Sequence, residues 1–147
     1  MTKALTGERF ELDRVTYDAL VAHARSDAPY EVCGLLGLAP DGIHHYEIPN
    51  ADRSMTYYVM ESRALLHAMR EIEDEEWGLA IYHSHTHTEA FPSPTDVELA
   101  VYPEAVYLIV SVQDPDQPMI RGFDIVDGRI TERVLAVDGE DAPVGAR

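Results

Sequence analysis

The stretch from Leu79 to Asp96 constrains this chain more than any other. An apolar tetrad, Leu79-Ala80-Ile81-Tyr82, runs directly into His83-Ser84-His85, and Asp96 follows eleven residues after the second histidine. The tetrad, reset by Gly78, reads as a buried strand. Side chains alternate faces along a strand, so His83 and His85 project to the same side, where two imidazole nitrogens can meet one metal ion. Asp96 is the candidate third ligand. Ser93-Pro94-Thr95-Asp96 has the marks of a helix start: serine as N-cap, proline at the first helical position, and an acid three residues after the cap. Three protein ligands with a fourth position left to water distinguish catalytic from structural zinc. The segment therefore reads as a zinc hydrolase site.

Cys33 is the single cysteine. It excludes a four-thiolate cage, a cage of two thiolates and two imidazoles, an intrachain disulfide and a C-x-x-C redox pair. At 147 residues the chain is expected to form one domain over 1–147, with a loose C-terminal tail from about 138. No apolar run is long enough to span a bilayer. The opening residues, Met1 to Glu8, lack the apolar core of a signal peptide, so the expected location is cytoplasmic. Eleven Lys and Arg face 27 Asp and Glu, a formal net charge of −16. That sign repels phosphate backbones and anionic lipids, so neither nucleic acid nor membrane is an expected partner. The acidic run Glu71 to Glu76 reads as a solvated helix face.

Periodicity places a strand around Phe10 to Leu12 and a helix over Val15 to Arg25, ended by Pro29. Val32 to Leu38 and Ile43 to Ile48 form a hairpin through Pro40-Asp41-Gly42. Met55 to Met60 reads as a strand, and Leu65, Met69 and Ile72 recur at helical spacing across Ser62 to Glu76. The helix opened by Ser93 is expected to reach about Tyr102. Ala105 to Val112 is the next strand, and a last pair of strands joins at Asp127-Gly128. The class is α/β or α+β: a mixed central sheet flanked by helices.

Amide hydrolysis at zinc also needs a base for the water's proton and an acid for the leaving amine. A carboxylate near the metal can serve as both, and Glu31, immediately before the apolar run from Val32, is the leading candidate. Glu31-Val32-Cys33-Gly34-Leu35-Leu36-Gly37, then His83-Ser84-His85, then Ala90-Phe91-Pro92-Ser93 and Asp96, resembles a JAMM (MPN+) metalloprotease domain. The resemblance implies one zinc ion with a bound water, held by His83, His85 and Asp96. It also implies Glu31 as general acid and base, and Ser93 as a donor to the tetrahedral oxyanion. Thr86 stands where many members have proline after the second histidine. Together with Asn50-Ala51, Arg53-Ser54 and Ile125-Val126-Asp127-Gly128, it is similar to the bacterial Mec-like subgroup, so the resemblance spans roughly Glu31 to Glu132.

That subgroup implies a zinc peptidase acting on a ubiquitin-like sulfur carrier protein with a Gly-Gly end. It hydrolyses the terminal amide and releases cysteine, a step of sulfur transfer in cysteine biosynthesis. A JAMM isopeptidase, or a processing protease for another ubiquitin-like protein, shares the chemistry. Arg53 is the candidate for the released cysteine's carboxylate, because guanidinium pairs bidentately with carboxylates.

Other readings stand beside these. His83 and His85 taken alone fit two hydrogen-bonded histidines in a strand, and Ser93 to Asp96 alone fits a capping box. His87 extends the run to H-x-H-x-H, which invites a three-histidine zinc site or a nucleotide-hydrolase histidine triad. The spacers Ser84, Thr86 and Thr88 are not the apolar ones a triad wants. His83-x-His85 followed by Glu89 also meets the core of a cupin motif, which would imply an all-β barrel. A non-catalytic MPN scaffold that binds partners is the reading from another class. Cys33 reads as a small core residue.

Overall fold

The computed structural model describes residues 9–142. The elements run β1 (Arg9–Leu12), α1 (Arg14–Asp27), β2 (Cys33–Ala39), β3 (Gly42–Ile48), α2 (Ser62–Asp74), β4 (Gly78–His85), α3 (Pro94–Glu98), β5 (Val106–Ser111), β6 (Met119–Val126), β7 (Arg129–Val137) and β8 (Glu140–Asp141). Local chemistry sets the boundaries. The Asp13 carboxylate accepts the Thr16 N–H at 2.6 Å and starts α1, and the Glu61 carboxylate accepts from Arg63 and Ala64 and starts α2. Asp127 and Gly128 both take positive φ, 51° and 78°, as the tight β6–β7 hairpin turn requires.

The strands form one mixed sheet in the order β1-β7-β6-β5-β4-β2-β3, with β8 pairing β7. β4 and β5 are parallel, as are β1 and β7; the other pairs are antiparallel. Helices cover both faces, giving the α+β architecture expected. On one face Leu20, Val21 and Ala24 of α1 pack on Leu36, Ala80, Tyr82 and Leu108. On the other, Ala68 and Ile72 of α2 pack with Leu35, Leu79, Ile81, Tyr107 and Ile109. Alternation along β4 thus turns Ala80 and Tyr82 toward α1 and the odd-numbered positions toward α2. Among the described residues no helix is long and apolar enough to cross a membrane.

Two expectations change. Met55 to Met60 is not a strand: among the described residues its only strand-type pairing is an isolated bridge between Asn50 and Met60. Side chains take over the local backbone there. Asn50 Oδ1 accepts from Asp52 and Val59 N–H, and Ser54 Oγ from Thr56 and Tyr57 N–H. The helix begun at Ser93 ends at Glu98, not near Tyr102, because the backbone tightens there: Leu99 is the C-cap, and Ala100 N–H turns to Val97 O at 3.3 Å, three residues back, instead of to the carbonyl four back that would extend the helix. Of the tail expected to be loose from about 138, the structure describes residues as far as 142. Asp138 and Gly139 take φ of 51° and 85°, β8 returns onto β7, and Ala142 N–H donates to Leu135 O at 2.9 Å. Residues 143–147 of that tail lie outside the described residues.

Candidate active site

His83 and His85 sit at the end of β4 on the face turned toward α2, 2 % and 4 % exposed. Their Nε2 atoms are 3.2 Å apart. Asp96 Oδ2 lies 3.1 Å from His83 Nε2 and 3.0 Å from His85 Nε2. α3 delivers Asp96 through a complete capping box. Ser93 N–H donates to Asp96 Oδ2 at 2.9 Å, and Asp96 N–H donates to Ser93 Oγ at 3.1 Å. The cap thus orients the carboxylate that completes the triangle.

His85 Nδ1 faces the Glu89 carbonyl oxygen at 2.8 Å. A carbonyl can only accept, so Nδ1 carries the proton and the neutral ring presents a bare Nε2 to the centre. His83 Nδ1 is buried without a partner among the described residues. Its ring is held by stacking on Tyr58, centroids 4.6 Å apart and planes 27° from parallel.

The triangle fits a single small cation. Ligand bonds of about 2.0–2.1 Å in a tetrahedral site imply ligand–ligand edges of roughly 3.3 Å, and the three edges here are 3.0–3.2 Å. Two imidazoles and one carboxylate are also the donor set of an open site. Burial acts on each member. It lowers the pKa of His83, with Asp96 opposing. It would lower His85 too, but Asp96 and the Glu89 carbonyl outweigh it and the pKa rises. It would raise Asp96, yet contact with both histidines and Ser93 N–H holds that carboxyl far below the usual range.

Glu31 reaches this centre through strand register. Cys33 pairs with His83 in the antiparallel β2–β4 ladder, so two residues back along β2 the chain stands across from His85, on the same face. Ser84 continues the tie: its Oγ accepts Val32 N–H at 2.8 Å and its N–H donates to Val32 O at 3.0 Å. The Glu31 backbone donates to Ser54 O at 2.8 Å and accepts from Asn50 Nδ2 at 3.0 Å. Its side chain is buried, and Oε1 has no hydrogen-bond partner among the described residues. Burial, reinforced by Asp96 and opposed by His85, pushes the Glu31 carboxyl up to about 7.

Ser93 Oγ accepts from the Asp96 backbone, which leaves its own proton for another acceptor. Arg53 lies outside the triangle, exposed on the loop that holds the Glu31 backbone. It has φ of 45° and its guanidinium lies 4.3 Å over the Tyr30 ring. His87 is also apart, with Nδ1 2.8 Å from Thr86 Oγ1, on the wall of a separate cavity of about 570 Å³. The Glu89 carboxylate is directed to Arg121, at 3.9 Å, and the site sits on a helix-covered sheet, so a cupin barrel is excluded. Sequence reasoning assigned no role at the site to Tyr58, Ser84, Asn50 or the Glu89 carbonyl. Only Ser84 carried a local signal: between two histidines facing one way, it must face the other.

Residues 13–126 match the family described as prokaryotic homologs of the JAB domain. The chain is 46% identical over 125 residues to the CysO-cysteine peptidase of Mycobacterium tuberculosis, covering 82% of this chain and 85% of that protein. It is 33% identical over 118 residues to the desampylase of Haloferax volcanii, covering 73% and 84%. A solution structure of a protein from Desulfitobacterium hafniense superposes with a TM-score of 0.75 at 32% identity, covering 88% of this chain and 93% of that one. With a family match across most of its length and peptidases among its relatives, this chain belongs to the prokaryotic JAB-domain family and is a peptidase.

Proposed function

We propose that this chain is a zinc peptidase that hydrolyses the amide between cysteine and the Gly-Gly end of a ubiquitin-like sulfur carrier protein, releasing both. The observation that carries the reading is the convergence of His83 Nε2, His85 Nε2 and Asp96 Oδ2 within 3.0–3.2 Å beside a buried carboxyl raised to about 7. The 46% identity to a CysO-cysteine peptidase supports the substrate class.

His83, His85 and Asp96 would hold the ion. Zinc so held supplies a water acidic near neutrality and a Lewis acid for the scissile carbonyl. Glu31, poised near the working pH, takes the water's proton on its carboxylate and returns it to the departing amine of cysteine. Ser93 donates a hydrogen bond from its hydroxyl to the carbonyl oxygen as negative charge develops there. Arg53, steadied by Tyr30 and one residue from the Ser54 carbonyl that holds Glu31, receives the carboxylate of the leaving cysteine.

The test is mass spectrometry of a carrier ending in Gly-Gly-Cys after incubation with the protein, with zinc, with chelator, and with Glu31→Gln. Loss of one cysteine residue that requires both zinc and Glu31 is the expected result. An intact carrier alongside cleavage of a lysine-linked ubiquitin-like conjugate would move the assignment to an isopeptidase, the reading that the relation to a desampylase favours. Arg53→Ala should raise KM for the cysteine-terminated carrier; an unchanged KM removes that residue from recognition.

A further inference from the structure

Residues 86–92 link β4 toward α3 and set one ring of the metal triangle, yet they contain no helix or strand. Their hold on His85 is the Glu89 carbonyl. That oxygen lies 2.8 Å from His85 Nδ1 and also accepts the Phe91 N–H at 2.8 Å, so both of its lone pairs are taken. Where this carbonyl points decides which nitrogen of His85 keeps the proton and how the ring faces His83 and Asp96. Thr88 and Glu89 are themselves exposed, and an exposed loop without a backbone ladder needs an anchor to hold one carbonyl in place.

The anchor comes from β5. Ser111 is the register partner of His85 in the parallel β4–β5 pair, and Val112 N–H donates to His85 O at 3.0 Å just beyond it. Tyr107 and Ile109 belong to the core on the α2 side, so by alternation Ser111 faces that side too, as His83 and His85 do. It is 5 % exposed. Its hydroxyl donates to Thr88 O at 2.7 Å and accepts from Gln113 N–H at 3.3 Å. The Gln113 side chain adds a longer bond, 3.3 Å, to His87 O. Thr88 O and Glu89 O are successive carbonyls, and fixing the first limits the rotation of the second. His85 is thus held twice from the end of β5: directly through its own backbone, and around the loop through Ser111, Thr88 and Glu89.

We infer that Ser111 is a positioning residue of the metal centre, holding the Thr88–Glu89 backbone so that the Glu89 carbonyl keeps the His85 Nδ1 proton and leaves Nε2 for the ion. A hydroxyl here has a reason beyond packing, since alanine would fill the same inward-facing position with no polar atom to satisfy. Removing an outer-shell partner lowers metal affinity by about 10- to 100-fold, and Ser111, one step behind the carbonyl that meets His85, belongs at the lower end of that range. The zinc arm of this inference rests on the reading of His83, His85 and Asp96 as the metal site; the orientation of His85 does not.

Two measurements on the full chain test it. Zinc affinity is read by competition with a chelator. The His85 Nδ1–H signal is followed by proton NMR of the metal-free chain and assigned by its loss in His85→Gln. Ser111→Ala should weaken zinc binding about 10-fold and broaden that signal by exchange with water. Ser111→Thr and Ser111→Val have one shape and differ in the hydroxyl, so any crowding by the added methyl is common to both. Ser111→Thr should bind zinc about 10-fold more tightly than Ser111→Val and keep the signal that Ser111→Val loses. A contribution to folding alone would lower the urea midpoint and move neither readout. Ser111→Ala with wild-type affinity and an unchanged signal, or Ser111→Thr and Ser111→Val behaving alike, overturns the inference and leaves the peptidase reading intact. A wild-type chain that binds no zinc overturns the peptidase reading instead, and the NMR comparison then decides the role of Ser111.

Discussion

Glu31→Gln should inactivate the enzyme and stabilise its metal-free fold, and the second effect has a definite pH signature. The folded-state pKa of about 7 exceeds the reference value of 4.5. Over that window the folded protein keeps a proton that the unfolded chain releases, so stability falls as pH rises through it. At 1.36 kcal/mol per unit, the ionised side chain costs the metal-free fold about 3 kcal/mol at pH 8 and less than about 1 kcal/mol at pH 5. Glutamine is nearly the same shape and cannot ionise. Urea unfolding in chelator should therefore find the variant more stable than wild type by about 3 kcal/mol at pH 8, roughly 6–12 °C in Tm, with most of the gap closing at pH 5. Groups that Glu31 does not touch titrate alike in both proteins and cancel in the difference. Hydrolysis with zinc present should fall by about 10² to 10⁴. A stability difference independent of pH, or a variant less stable than wild type at pH 8, refutes the burial argument. Retained hydrolysis refutes the role as base.

Ser93→Ala removes the proposed oxyanion donor and the side-chain half of the cap. Turnover should drop by about 10² to 10³ and stability by about 1 kcal/mol, while metal content by elemental analysis stays near wild type because Ser93 N–H still holds Asp96. Tyr58→Leu should weaken zinc retention in chelator competition by loosening the His83 ring, and Tyr58→Phe, which keeps the stack, should restore it. Dialysis against chelator should abolish hydrolysis and zinc restore it in wild type. In Asp96→Asn, which loses the charge shared by both histidines, zinc should fail to restore it at the same concentration. Gly34→Ala should cost at least 1–3 kcal/mol in urea unfolding, because an added methyl would collide with the Tyr46 carbonyl and the Tyr82 ring.

The parts of the site legible in the sequence were those with local causes. His83 and His85 share a face because a strand has period two, and Ser93 to Asp96 starts a helix because its cap is written in four consecutive residues. The β6–β7 turn at Asp127-Gly128 needs nothing beyond its own φ values. The misread segment, Met55 to Met60, has the apolar and aromatic composition of a strand. Strand formation also needs a neighbour with free backbone groups, and here the side chains of Asn50 and Ser54 answer that backbone first. The same loop hides Tyr58, whose contact with His83 spans twenty-five positions and leaves no periodic trace. Glu31 emerged from the order of motifs, since its neighbour His85 is fifty-four residues away in sequence.

Strand register explains why the Cys33-Gly34 run belongs to the same apparatus as the histidines. A one-residue slip of β2 against β4 would turn Glu31 toward α1 and away from the metal triangle. The register is held by contacts on the α1 side and in the ladder itself. Gly34 stands directly opposite Tyr82, and the ring occupies the space that any larger residue would fill. The Tyr82 hydroxyl then meets His23 and His45 together. Ser84 takes Val32 N–H where the regular strand ends. Cys33 contributes packing rather than thiol chemistry: it is fully buried, donates to Ile48 O at 3.4 Å, and burial with nearby Glu31 pushes its thiol up to about 12. The proposed catalytic face is thus aligned from the α1 side of the sheet, and a substitution at Gly34 should displace Glu31 from His85 while leaving His83, His85 and Asp96 in the arrangement proposed to hold an ion.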